Sequence, residues 1–159
     1  KVYLYKDTFK NIDFKNYTTI IISFPLYLDS PPSKVIEFIE HIKNNNIDIV
    51  GIHIYGICNC GFLESNQNIC ALKILENFCK QSGALYKGSF LIGAGEIAGK
   101  CDKIHLYKLL NISLFIKIYY FKRCIKKRKY VYLKTTIHPM TKYLYITLAN
   151  RSWKRKQRN

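Results

Sequence analysis

The chain has 159 residues, 48% of them hydrophobic, and a formal net charge of +16. That is the size of one domain, with apolar content ample for a single core. The charge is divided: residues 1–99 hold nine Lys against nine Asp/Glu, while residues 100–159 hold seventeen Lys/Arg against Asp102 alone. The basic third could attract phosphates of nucleic acid, anionic lipid or an anionic cofactor; the plainer alternative is a solvated basic helical face.

In chain order, Val2–Tyr5 alternates weakly and predicts a short strand, and Lys6–Tyr17 is polar and turn-like. Thr19–Phe24 contains the run Ile20-Ile21-Ile22, which suits a strand buried on both faces of a parallel sheet. Pro31 and Pro32 open a predicted helix over Ser33–Asn44, where Val35, Ile36, Ile39 and Ile42 repeat at helical spacing. Ile47–Ile57 predicts a second strand. Asn66–Ser82 predicts a second one-faced helix stopped by Gly83, and Ala84–Ile92 a third strand closed by Gly93-Ala94-Gly95. This alternation is that of an α/β domain with a parallel sheet.

The final third is richer in Leu, Ile, Phe and Tyr with interleaved Lys/Arg. Lys103–Lys129 predicts a helix. Its most apolar part, Leu109–Phe121, is interrupted by Lys117 and falls short of the about 20 apolar residues a membrane span needs. Tyr130–Leu133 reads as a short extended piece. Pro139 precedes a last helix through Trp153, ending in Lys154-Arg155-Lys156-Gln157-Arg158.

The six cysteines show no zinc or redox spacing: Cys58-Asn59-Cys60 is a C-x-C without a second pair. They read as structural, and with no secretory signal at Lys1 the expected setting is a reduced cytoplasm. His53, inside an apolar run, reads as a satisfied core histidine. Gly93-Ala94-Gly95-Glu96-Ile97-Ala98 matches a dinucleotide fingerprint in spacing, but the acidic ribose partner about 20 residues on is missing. Gly93 and Gly99 are also too far apart for a P-loop. The expected reading is a tight turn needing glycine dihedrals.

Two loops remain, Pro25–Pro32 and Cys58–Glu64, each following a predicted strand. In a parallel sheet both open on the edge where such sheets bind ligands. The backbone amides of Leu26, Tyr27, Asn59, Cys60 and Gly61 are expected to meet one ligand rim, with Tyr27 stacking on a ring and Gly61 permitting close approach.

Phe24-Pro25-Leu26-Tyr27-Leu28-Asp29-Ser30-Pro31-Pro32, Asn59-Cys60-Gly61-Phe62 with Glu64, Gln67-Asn68, and Ala149-Asn150-Arg151-Ser152-Trp153-Lys154 carry a resemblance. In order and spacing the chain resembles bacterial flavodoxin-like NAD(P)H-dependent FMN reductases, from Lys1 to Arg158. The resemblance implies a flavodoxin-like doubly wound parallel sheet in one domain, 1–159; the residues themselves divide it into an α/β core over 1–99 and a basic, mostly helical segment over 100–159, richer in charge than the resemblance requires. It implies bound FMN and hydride transfer from NAD(P)H through the flavin to a small-molecule electron acceptor; a homodimer is one arrangement open to such a chain. Pro25, Leu26, Tyr27 and Leu28 would line the flavin from the first loop, and Asn59, Cys60, Gly61 and Phe62 from the second. No catalytic side chain and no metal is implied, because the flavin does the redox work.

Members of that group begin with a strand, a Ser/Thr-rich loop for the FMN phosphate, and a helix. Nothing before Val2 matches that unit, and Lys1 is not an initiator Met. The expectation is a truncated chain whose Val2–Tyr5 and Thr19–Phe24 are the second and third strands, parallel but unpaired. Two rival expectations stand beside the reductase. One is a non-enzymatic module that binds nucleic acid or an anionic membrane through residues 100–159. The other is an inactive fragment.

Overall fold

The computed structural model describes residues 9, 12–95, 105–135, 143, 146, 147 and 150. Seven main elements follow one another: β1 (Thr19–Pro25), α1 (Ser33–Asn44), β2 (His53–Asn59), α2 (Ile69–Ser82), β3 (Leu85–Ile92), α3 (His105–Lys126) and β4 (Val131–Lys134). The four strands make one sheet in the order β1-β2-β3-β4, every pair parallel. The chain is thus an α/β protein with an all-parallel sheet. The expected strand Val2–Tyr5 and the helix expected between Pro139 and Trp153 fall mostly or wholly outside the described residues. Within those residues β1 is an edge strand, bonded to β2 alone, and it is not buried on both faces as expected: Ile20 and Ile22 pack on the core beneath the helices, while Ile21 on the other face is 49% exposed.

The helices divide between the two faces. Ile39 and Ile42 of α1 and Leu75, Phe78 and Cys79 of α2 pack with Ile54. Ala71 and Leu72 pack with Phe24, Cys58 and Leu91. Both helices therefore cover the face bearing Ile54 and Cys58. The alternate residues Tyr55 and Phe90 point the other way and pack on Phe121 and Cys124 of α3, with Val131 of β4. All three connections step across the sheet in one direction, yet the third passes over the opposite face. Its hand is opposite to that of the first two, in a topology where one hand is almost universal.

Two sequence expectations shift. Ile47–Ile52 is a turn, not strand, because Asp48 accepts the Val50 amide at 3.0 Å, Ile52 N–H bonds Ile49 at 3.1 Å and Gly51 adopts φ 74°. Its apolar residues are still used, with Ile49 and Ile52 buried in the core. The short extended piece read at Tyr130–Leu133 is, shifted by one residue, β4, a full member of the sheet. The β3–β4 join depends on Gly88, where φ is 110° and a Cβ would stand 1.8 Å from the Val131 carbonyl oxygen. Gly88 also sits in a bulge: Ile54 pairs with Tyr86 but Gly56 with Ser89, so β3 carries one extra residue.

Candidate functional site

The loops after β1 and β2 leave the same, C-terminal edge. Pro25 stands in register with Asn59, and the next residue, Leu26, donates its amide to the Asn59 carbonyl at 2.7 Å. The first loop then reverses at once. Tyr27 and Ser30 exchange backbone hydrogen bonds of 3.1 and 2.9 Å, and Leu28 and Asp29 between them both take left-handed φ, 47° and 59°. That is the geometry of a type I′ turn, usually filled by Asn and Gly. Tyr27 is left 63% exposed and Leu28 entirely so.

The second loop is fixed from beneath. Cys60 N–H donates to Ile92 at 2.9 Å, Ala94 N–H to Phe62 at 2.6 Å and Gly95 N–H to Cys60 at 2.8 Å. Buried Asn68 donates to the Ile92 carbonyl at 3.0 Å and accepts the Cys58 thiol at 3.2 Å. Ser65 donates to the Thr135 carbonyl at 2.9 Å, and the Thr135 hydroxyl accepts the Gly93 amide at 2.7 Å. The ends of all four strands are thereby tied into one rim.

The eight expected flavin-lining residues separate into two groups. Pro25, Tyr27, Leu28, Gly61 and Phe62 form an exposed rim, Phe62 at 60%. Leu26 turns inward against the Phe24–Leu72 cluster, Cys60 is buried, and Asn59 is half-buried at the end of β2. The expected rim of amides also needs correction. Those of Leu26, Tyr27 and Cys60 are spent on Asn59, Ser30 and Ile92, since each finishes a strand or closes a turn. Among the described residues no partner takes the amides of Gly61 and Phe62, and no atom lies within 4 Å of a Cβ built on Gly61.

The cysteines here are held as thiols. Burial pushes Cys58 up to about 12 and raises Cys60 as well, against the lowering effect of the Phe62 carbonyl that its thiol faces at 3.6 Å. Neither is prepared as a nucleophile.

Gly93-Ala94-Gly95 is a tight turn for a reason other than the one expected. The left-handed residue is Ala94, with φ 56°. The glycines are required by close approach: a Cβ on Gly93 would stand 2.7 Å from Leu63 O, and one on Gly95 2.8 Å from Asn59 Nδ2. All three amides are used internally. Glu96–Gly99 lies outside the described residues. Ser65 and Thr135 escaped the sequence reading because their partners lie 70 and 42 residues away.

Comparison with protein-family models, with curated proteins and with solved structures finds no match for this chain.

Proposed function

We propose that the chain is a flavodoxin-like oxidoreductase that holds FMN on the C-terminal rim and passes hydride from NAD(P)H to a small-molecule acceptor. One observation carries the reading: the 2.7 Å bond from Leu26 to Asn59 joins two loops whose tips carry exposed aromatic rings, Tyr27 and Phe62. Such rings give a flat conjugated ligand a stacking surface. The amides of Gly61 and Phe62 are the donors that fit its carbonyl oxygens, and the open space at Gly61 admits the ring edge. Bound flavin would supply the electron transfer; the protein's part is to seat it and exclude water from one side.

The test is titration of FMN fluorescence with the chain. Quenching is expected, weakened at least about tenfold by Tyr27→Ala and by Gly61→Val, which removes the space. Unchanged fluorescence, or quenching indifferent to both substitutions, would overturn the proposal.

The second reading rests on the outer side of α3. Phe115, Ile116, Tyr119 and Tyr120 are exposed there, Phe115 at 66% and Tyr119 at 70%, beside exposed Lys122, Arg123, Lys126 and Lys127. Apolar rings flanked by cations suit an anionic membrane surface or nucleic acid. No helix among the described residues is long and apolar enough to cross a membrane.

A further inference from the structure

A cleft of about 440 Å³ lies at the opposite, N-terminal edge of the sheet, lined by Lys15, Thr18, Asp48, Gly51, His53 and Arg128 among others. These residues sit at or just before the starts of β1, β2 and β4, so three separate segments bring them together. It is remote from the flavin rim, which stands where the strands end.

Arg128 is the first unusual feature. Its N–H bonds Ile125 O and that of Lys129 bonds Cys124 O, both at 3.0 Å. This is a Schellman ending of α3 with Arg128 at the left-handed position, φ 54°, where glycine is usual. The Tyr55 hydroxyl fastens the turn by donating to Lys129 O at 3.0 Å. A non-glycine held in that conformation costs stability, and such strain collects at functional sites. Arg128 lines the cleft, and its Nη2 donates to Thr18 Oγ1 at 3.5 Å.

His53 is the second. It was expected to be a satisfied core histidine, yet it stands half-buried at the start of β2, and its buried Nδ1 has no partner among the described residues. An unpaired buried nitrogen is costly unless a ligand or water meets it. The charged and titratable groups around it are Lys15 and Tyr17 ahead of β1, Asp48 ahead of β2, Lys87 in β3 and Arg128 ahead of β4. Asp48 is partly committed to the Val50 amide. Cations prevail. Burial first, then Lys87 and Arg128, lower the affinity of His53 for a proton.

We propose that this cleft binds a phosphate group, free or as a monoester, with Arg128 and Lys15 supplying charge and Thr18 and His53 supplying hydrogen bonds. A guanidinium matches phosphate geometry with paired donors. A bound dianion would reverse the electrostatics at His53 and favour imidazolium, so phosphate binding and protonation of His53 reinforce each other.

The experiment follows the His53 imidazole resonances of the full chain by NMR while inorganic phosphate is added at constant ionic strength; His53→Gln identifies the signal. A saturable change and a raised His53 pKa are expected. Lys15→Ala weakens the response. Arg128→Gly is the decisive variant: relief of the left-handed strain raises Tm, while phosphate affinity falls about tenfold. Tighter binding of phenyl phosphate than of inorganic phosphate supports a monoester, and equal binding supports free phosphate. An equal response to sodium chloride, or an undiminished phosphate response in Arg128→Gly, overturns the proposal.

Discussion

Leu28 occupies a position where its side chain gains nothing. It is entirely exposed, and its φ of 47° is one that a branched residue adopts at a cost. Leu28→Gly is expected to raise stability by roughly 1 kcal/mol, read from the urea midpoint, and to loosen FMN if the turn holds a cofactor. His53 gives a second prediction. Its folded pKa lies below the ordinary 6.5, so between those two values the unfolded chain binds more protons. Stability present above that window is lost as pH falls through it, and His53→Gln flattens the dependence. Urea midpoints measured in phosphate-free buffer between about pH 7 and about pH 5 check this. The exposed tips, Tyr27 and Phe62, were legible because each follows a strand signal and lies near turn-forming residues. Arg128 was not, because its left-handed cap lacks the glycine that announces one.

The elements were largely legible where apolar spacing is regular. α1 runs from Ser33 to Asn44 as its periodicity predicts, and Gly83 ends α2 in the left-handed conformation, φ 73°. β4 was hard to place, since four residues carry no sign of their partner. Lys117, which interrupts the apolar run of α3, donates to the Lys134 carbonyl at 2.7 Å and ties α3 to β4. Two glycines test the packing by contrast. At Gly88 the obstacle is backbone, so Gly88→Ala should cost more than about 2 kcal/mol and strip protection from β4. At Gly56 a Cβ would meet the tips of two buried leucines, Leu72 Cδ2 at 2.6 Å and Leu75 Cδ2 at 3.0 Å, which are side chains and not backbone, so Gly56→Ala should cost less than Gly88→Ala, about 1–2 kcal/mol. Denaturant unfolding of both variants measures the difference.

At the scale of the whole molecule, the charge division places no acid beyond Asp102, and the described part of that region includes the aromatic outer side of α3. If this side meets an anionic polymer or bilayer, affinity falls steeply with added salt and Lys122→Glu with Arg123→Glu abolishes it. A weak salt dependence, unaffected by the double substitution, would remove the second reading. Which face α3 covers was beyond the reach of the sequence, because an amphipathic helix reports that it is covered on one side but not by which side of a sheet.

The reversed third crossover also bears on the order of assembly. β1, β2 and β3 with α1 and α2 form one layer pair through two successive connections, whereas α3 and β4 must come round the other side and close on Gly88. From that arrangement α3 and β4 are expected to open as a unit of their own. In native-state hydrogen exchange, the amides of Val131–Lys134 should open together at a lower free energy than those of Ile54 and Cys58, exposing Tyr55 and Phe90 while the first layer stays folded.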